Sequence, residues 1–150
     1  MPDANLRAAI EIDTRVAATI ESGASFLAET ILSSDKYLDD IDRARVLGFE
    51  AGVVYVGLRT PEHAIARVRL RVRRGGHDMP PERVAARWHR SIAMLGCLAP
   101  EVARLFVFDN TGAEGPGLIA LKVAGIVTIV EPNRIPEFDA VLAPPEEPGA

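Results

Sequence analysis

The residues of this chain best suited to chemistry gather in its middle. Arg67, Arg71 and Arg74 stand at i, i+4 and i+7, Arg83, Arg87 and Arg90 repeat that spacing, and Gly75-Gly76 lies between the two triplets. On two helices, each triplet would share one face. A guanidinium fork binds phosphate oxygens bidentately, so two such rows meeting across a glycine joint could close over a polyphosphate as a lid does. Segment 59–90 holds nine of the seventeen lysines and arginines but only three of the twenty-one acids, Glu62, Asp78 and Glu82. Its formal charge is +6, against −10 for the remainder. The plainer reading, of solvated arginine faces balanced from elsewhere, is weakened by that scarcity of local acids.

Positioning these residues calls for helices alternating with strands. Leu6, Ala9, Ile10, Val16, Ala17 and Ile20 recur at helical spacing up to Gly23. Ser25–Glu29 reads as a short buried strand. A second helix follows, starting at Ser33 or Ser34, burying Leu38, Ile41 and either Ala44 or the stem of Arg45, and ending at Gly48. Ala51–Leu58 is a nearly continuous β-branched and aromatic run, the pattern of a parallel strand covered on both faces. Thr60-Pro61-Glu62 is a helix start; Val68–Arg73 alternates with period two, but the cap directly before it favours helix. Pro80-Pro81-Glu82 opens another helix, with Val84, Trp88, Ile92 and Leu95 on its apolar side as far as Pro100. Val102–Phe108 predicts a strand closing on Asp109-Asn110, and Leu118–Val123 with Ile126–Val130 predicts a hairpin around Ala124-Gly125. Residues 136–150, rich in Pro and Glu, predict a disordered tail beyond one domain at 1–135.

The expected fold class is therefore α/β, a three-layer, mainly parallel sheet with flanking helices and a C-terminal β-hairpin. In such sheets ligands bind beyond the carboxyl ends of the strands, here Glu29-Thr30, Leu58-Arg59-Thr60 and Asp109-Asn110.

Composition narrows the classes further. A chain of 150 residues with 48% hydrophobic and 25% charged content is ordinary for one globular domain. A single cysteine, Cys97, makes no internal disulfide and reads as a small core residue, and His63, His77 and His89 are too scattered for a metal site. The longest apolar runs, such as Ile126–Val130, fall far short of the roughly 20 residues of a membrane span. No membrane association and a cytoplasmic address are expected. A net charge of −4 offers no global attraction to nucleic acid, and the basic segment lacks an aromatic platform beside it.

Several motifs in order carry a family resemblance. Ser25-Phe26-Leu27-Ala28-Glu29-Thr30, Arg73-Arg74-Gly75-Gly76-His77-Asp78-Met79-Pro80, Arg87-Trp88-His89-Arg90-Ser91 and Phe106-Val107-Phe108-Asp109-Asn110-Thr111 resemble the acceptor strand, lid, helix and strand end of the zeta-toxin-like P-loop kinases. The resemblance spans about Ser25 to Thr111. It implies a P-loop NTPase-like fold and an ATP-dependent phosphotransferase using magnesium, with a phosphorylated or nucleotide-sugar small molecule as ligand and an antitoxin among the protein partners. By the same resemblance Arg74, Arg87 and Arg90 hold the phosphates as catalytic residues, Glu29 and Thr30 contact the acceptor, and Asp109 and Asn110 lie by the nucleotide. The chain departs from the family pattern at Met79 (valine), Ala86 (arginine), Trp88 (tyrosine) and Ile31 (threonine).

A phosphate cradle needs Gly-x-x-x-x-Gly-Lys followed by Ser or Thr, and neither Lys36 nor Lys122 has that setting. The family's first strand and phosphate loop are accordingly expected to precede Met1. Their absence would leave strand edges that a second copy could pair with. Two functions stay open: a kinase weakened by the missing loop, and a non-catalytic protein that binds a phosphorylated ligand.

Overall fold

The computed structural model describes residues 4–143, which form five helices and four strands. In chain order these are Ala4–Glu21 (α1), Lys36–Val46 (α2), Gly52–Gly57 (β1), Pro61–Arg73 (α3), Pro81–Glu101 (α4), Arg104–Asp109 (β2), Gly117–Val123 (β3), Ile126–Ile129 (β4) and Pro136–Leu142 (α5). The chain is α/β, with an open sheet in the order β1-β2-β3-β4. The sheet is mixed, which corrects the mainly parallel expectation: β1 and β2 run parallel, whereas β2–β3 and β3–β4 are antiparallel. The reason is chain length. The β1–β2 crossover carries two helices, while the link between β2 and β3 spans only residues 110–116, too short for the dozen or so residues that a parallel crossover needs.

The expected hairpin forms. Ala124 and Gly125 both take positive φ, 50° and 81°, the backbone of a two-residue type I′ turn. The helix over 61–73 wins against the period-two alternative because Thr60 caps it, its hydroxyl accepting from the backbone N–H of His63. α4 places Trp88, Ile92, Leu95 and Leu98 against Leu105 and Val107 of β2 and Ile119 of β3. Trp88 is a core residue, its Nε1 donating to the carbonyl of Leu58 at 2.9 Å.

The expected disordered tail is corrected over its first half. Residues 136–142 are helical, and α5 buries Phe138 and Leu142 in the main core. Phe138 stacks edge-on against Tyr55, ring centroids 5.3 Å apart, and lies so close over Gly57 that a Cβ there would come within 2.3 Å of its ring. That contact fixes the end of β1 against α5. Residues 144–150 lie outside the described residues.

Three further expectations are corrected. Ser25–Glu29 is not a strand; it is irregular and exposed, with Leu27 94% accessible. So short a segment, with three apolar residues, becomes a strand only if an edge receives it, and β1, at the sheet's margin, pairs with β2 alone. Cys97 is exposed on α4. Finally, β1 is covered on one face only. Val53 and Tyr55 pack on the main core, while Val54 and Val56 remain 66% and 52% exposed. A smaller cluster of Val16, Ile20, Ala44 and Phe49 joins α1 to α2.

Candidate functional site

The site grows from the carboxyl ends of the parallel pair β1–β2. Their register continues one step past the strands, Asn110 N–H donating to Gly57 O at 2.9 Å. From there the chain turns through Arg59 and Thr60 directly into α3, so α3 starts at the rim of the sheet. α4 meets that rim only at Trp88, through its bond to Leu58. Residues 81–87 precede that contact, a stretch of about 10 Å at the helical rise per residue. α3 and the first two turns of α4 pack together as a hairpin, tied to the strand ends by Arg67 and Trp88.

Beneath it Asp109 ties three segments together. Its carboxylate, almost wholly buried, accepts from Arg59 Nε and from Arg134 Nε, each at 2.9 Å, and from the backbone N–H of Thr111 at 2.8 Å. Burial pushes the Asp109 carboxyl up, but the hydrogen bonds from Thr111, Arg134 and Arg59 outweigh it and hold the group well below the usual carboxylate range. Thr111 Oγ1 in turn accepts from Arg59 N–H at 2.9 Å, and Arg67 on α3 donates to the carbonyl of Asn110. Asp109 is thus a structural tie, its oxygens already engaged. Asn110 stands beside it, half-buried.

The hairpin above has the opposite character. The side chains of Arg69, Arg71, Arg73, Arg74, Arg83, Arg87 and Arg90 have no carboxylate or hydrogen-bond partner among the described residues, whereas elsewhere Arg15, Lys36, Arg43, Arg45, Arg59, Arg104 and Arg134 each hold an acid. The expected geometry of the two rows is altered, however. The groove between α3 and α4 is bordered on the α3 side by Ile65, Val68, Arg69, Val72 and Arg73. On a helical wheel that face is opposite Arg67 and Arg71. The α3 arginines nearest α4 are therefore Arg69 and Arg73, which the spacing argument passed over.

The diglycine is likewise a fixed helix stop. Gly75 takes φ +89°, Gly76 N–H donates to Arg71 O at 3.0 Å, and Gly75 N–H donates to Val72 O at 2.9 Å, the paired bonds of a Schellman cap. The Arg71 stem lies against Gly76, where a Cβ would meet its Cγ at 2.6 Å.

Of the residues singled out by sequence, Arg74 caps the end of α3 and is exposed, Arg87 is half-buried beside Trp88, and Arg90 is exposed nearly one turn further on. Glu29 and Thr30 lie on the exposed irregular segment, where the Thr30 hydroxyl accepts from Leu32 N–H at 3.1 Å. They are joined to the strand ends by no described contact. Sequence reasoning missed Arg59 and Arg134 as the partners of Asp109. Arg59 had a signal, its place at a strand end; Arg134, 25 residues from Asp109, had none.

Neither lysine lies here. Lys36 pairs with Asp13, and buried Lys122 donates to the carbonyls of Ala99 and Pro100 at 2.8 and 3.0 Å, capping the C-terminus of α4. Among the described residues no group of three His, Cys, Asp or Glu side chains could hold a metal, and no helix is long and apolar enough to cross a membrane. Comparison with protein-family models, curated proteins and solved structures finds no match.

Proposed function

We propose that this protein binds a phosphorylated small molecule through the α3–α4 hairpin, with Arg74, Arg87 and Arg90 as phosphate ligands, as its resemblance to zeta-toxin-like kinases implies. The observation that carries the reading is the set of hairpin arginines without acidic partners, on a chain whose other described arginines are nearly all paired. Seven like charges kept side by side repel one another, and an anion from outside the chain removes that cost while gaining charge-assisted hydrogen bonds. The hairpin springs from the carboxyl ends of β1 and β2, where α/β sheets collect ligands, and Arg67 touches them through Asn110.

The phosphotransferase reading adds a three-layer P-loop arrangement, in which the open edge of β1 and the bare Val54 and Val56 would receive a further strand and helical layer. It also calls for ATP and magnesium. The described residues do not fit that pair. Asp109 is taken up by Arg59, Arg134 and Thr111, and both lysines are engaged elsewhere. Phosphoryl transfer does not follow from these residues, and phosphate binding is the function they support.

Calorimetry with inorganic pyrophosphate tests it. Arg87→Ala is expected to weaken binding by about 1.5–3 kcal/mol, the scale of a charge-assisted hydrogen bond. Unchanged affinity would remove Arg87 from the site, and an absence of pyrophosphate binding by the unmutated chain would end the proposal.

A further inference from the structure

The groove between α3 and α4 is a shallow one, open to solvent, with a volume of about 350 Å³. Its floor is apolar. Ile65, Val68 and Val72 form a stripe along α3, faced by Met79 and by Val84 from the start of α4. On the rim stand Arg69 and Arg73, one helical turn apart, a separation of about 5–6 Å between Cβ atoms. The one acid lining the groove, Asp78, makes no ion pair with either among the described residues; its Oδ1 accepts from its neighbour's N–H, that of Met79, at 2.7 Å.

From this pairing of an apolar floor with two uncommitted guanidinium groups we infer that the groove binds a phosphate monoester with an apolar body. The chain of that ligand lies along Val68 and Val72, and its phosphate sits between Arg69 and Arg73. Two fixed positive charges match a group carrying close to two negative charges at neutral pH better than they match a single carboxylate. The apolar floor gives the body of the ligand a surface to cover that a bare polyphosphate would leave exposed. The inference rests on the same unpaired arginines as the phosphate-binding reading but places its ligand at another position on the hairpin, since the groove is lined by Arg69 and Arg73 and by none of Arg74, Arg87 and Arg90.

Octyl phosphate below its micellar concentration is the probe, titrated into the full chain beside inorganic phosphate and octanol. Octyl phosphate is expected to bind at least tenfold more tightly than inorganic phosphate, since burying two methylenes already suffices for that factor, and at least tenfold more tightly than octanol, which offers the two guanidinium groups no charge. Arg69→Gln with Arg73→Gln should lower its affinity at least tenfold while circular dichroism is unchanged. Val72→Ser should lower octyl phosphate binding and leave inorganic phosphate binding alone. Equal affinity for octyl and inorganic phosphate overturns the apolar seat yet leaves pyrophosphate binding at the hairpin intact. Equal affinity for octyl phosphate and octanol overturns the arginine clamp. Binding that survives the double arginine variant but falls with Val56→Ser would place the ligand on the bare sheet face and sink the inference.

Discussion

Two sets of arginines lie within a few residues of each other and obey opposite rules. At the strand ends Arg59 and Arg134 converge on one buried carboxylate, and Arg67 closes onto a backbone carbonyl. In the hairpin just above, seven arginines have no such partner among the described residues. The first arrangement makes structure: a buried acid must be paired or it is costly, so Asp109 dictates where the 59 and 134 segments go. The second leaves structure to the caps and the apolar stripes, and leaves its charge to a partner. Positive charge by itself therefore says little about role; what distinguishes the two sets is whether the fold supplies the counter-charge.

Breaking the first set should cost stability. Asp109→Ala is expected to destabilise the fold by about 2–3 kcal/mol in denaturant unfolding, since several hydrogen bonds to a charged group are lost. The pH dependence has a definite sign. The Asp109 carboxyl is held below its ordinary range in the folded chain, so its contribution is present above the unfolded value of about 4 and drains away as pH falls below it. The stability gap between the unmutated chain and Asp109→Asn should accordingly shrink below about pH 4, and a gap that widens there would contradict the assignment. Gly75→Ala comes next, at about 1–2 kcal/mol, because its φ of +89° strains any residue with a Cβ. A neutral result would mean that the hairpin stop is not fixed by its cap.

The smallest effects sharpen the comparison most. Arg45→Ala removes exposed pairs to Asp42 and Glu101 and should cost about 0.2–1 kcal/mol. Arg83→Ala removes no pair and should stay within about 0.5 kcal/mol of the unmutated chain. A loss of stability at Arg83 as large as that at Arg45 would show that the hairpin arginines serve the fold after all.

Much of the fold was legible because it rests on local signals. Thr60-Pro61 announces a helix start, Gly23, Gly48 and Gly75 each follow the end of a helix, and Ala124-Gly125 makes its hairpin from backbone geometry alone. Ser25–Glu29 failed because a strand is a relation between segments, and no neighbouring edge receives this one. Residues 136–142 failed in the other direction. Their prolines suggested a frayed tail, yet Pro136 is the first residue of a helix whose Phe138 finds a seat over Gly57. The site was half legible. The arginine excess is plain in composition, but which arginines border the groove depends on how α3 is rotated against α4, and periodicity does not report that rotation.

What the amino-acid order determined unaided is the first four helices, the hairpin, and the concentration of positive charge between residues 59 and 90. These follow from propensity, capping and counting, all of which act over a few residues. Only the tertiary structure decided that Asp109 would be occupied by Arg59 and Arg134, that Lys122 would cap a helix, and that Arg69 and Arg73 would flank an apolar groove. Burial and pairing arise between segments far apart in the chain, and whether a charge finds its opposite is settled when those segments pack.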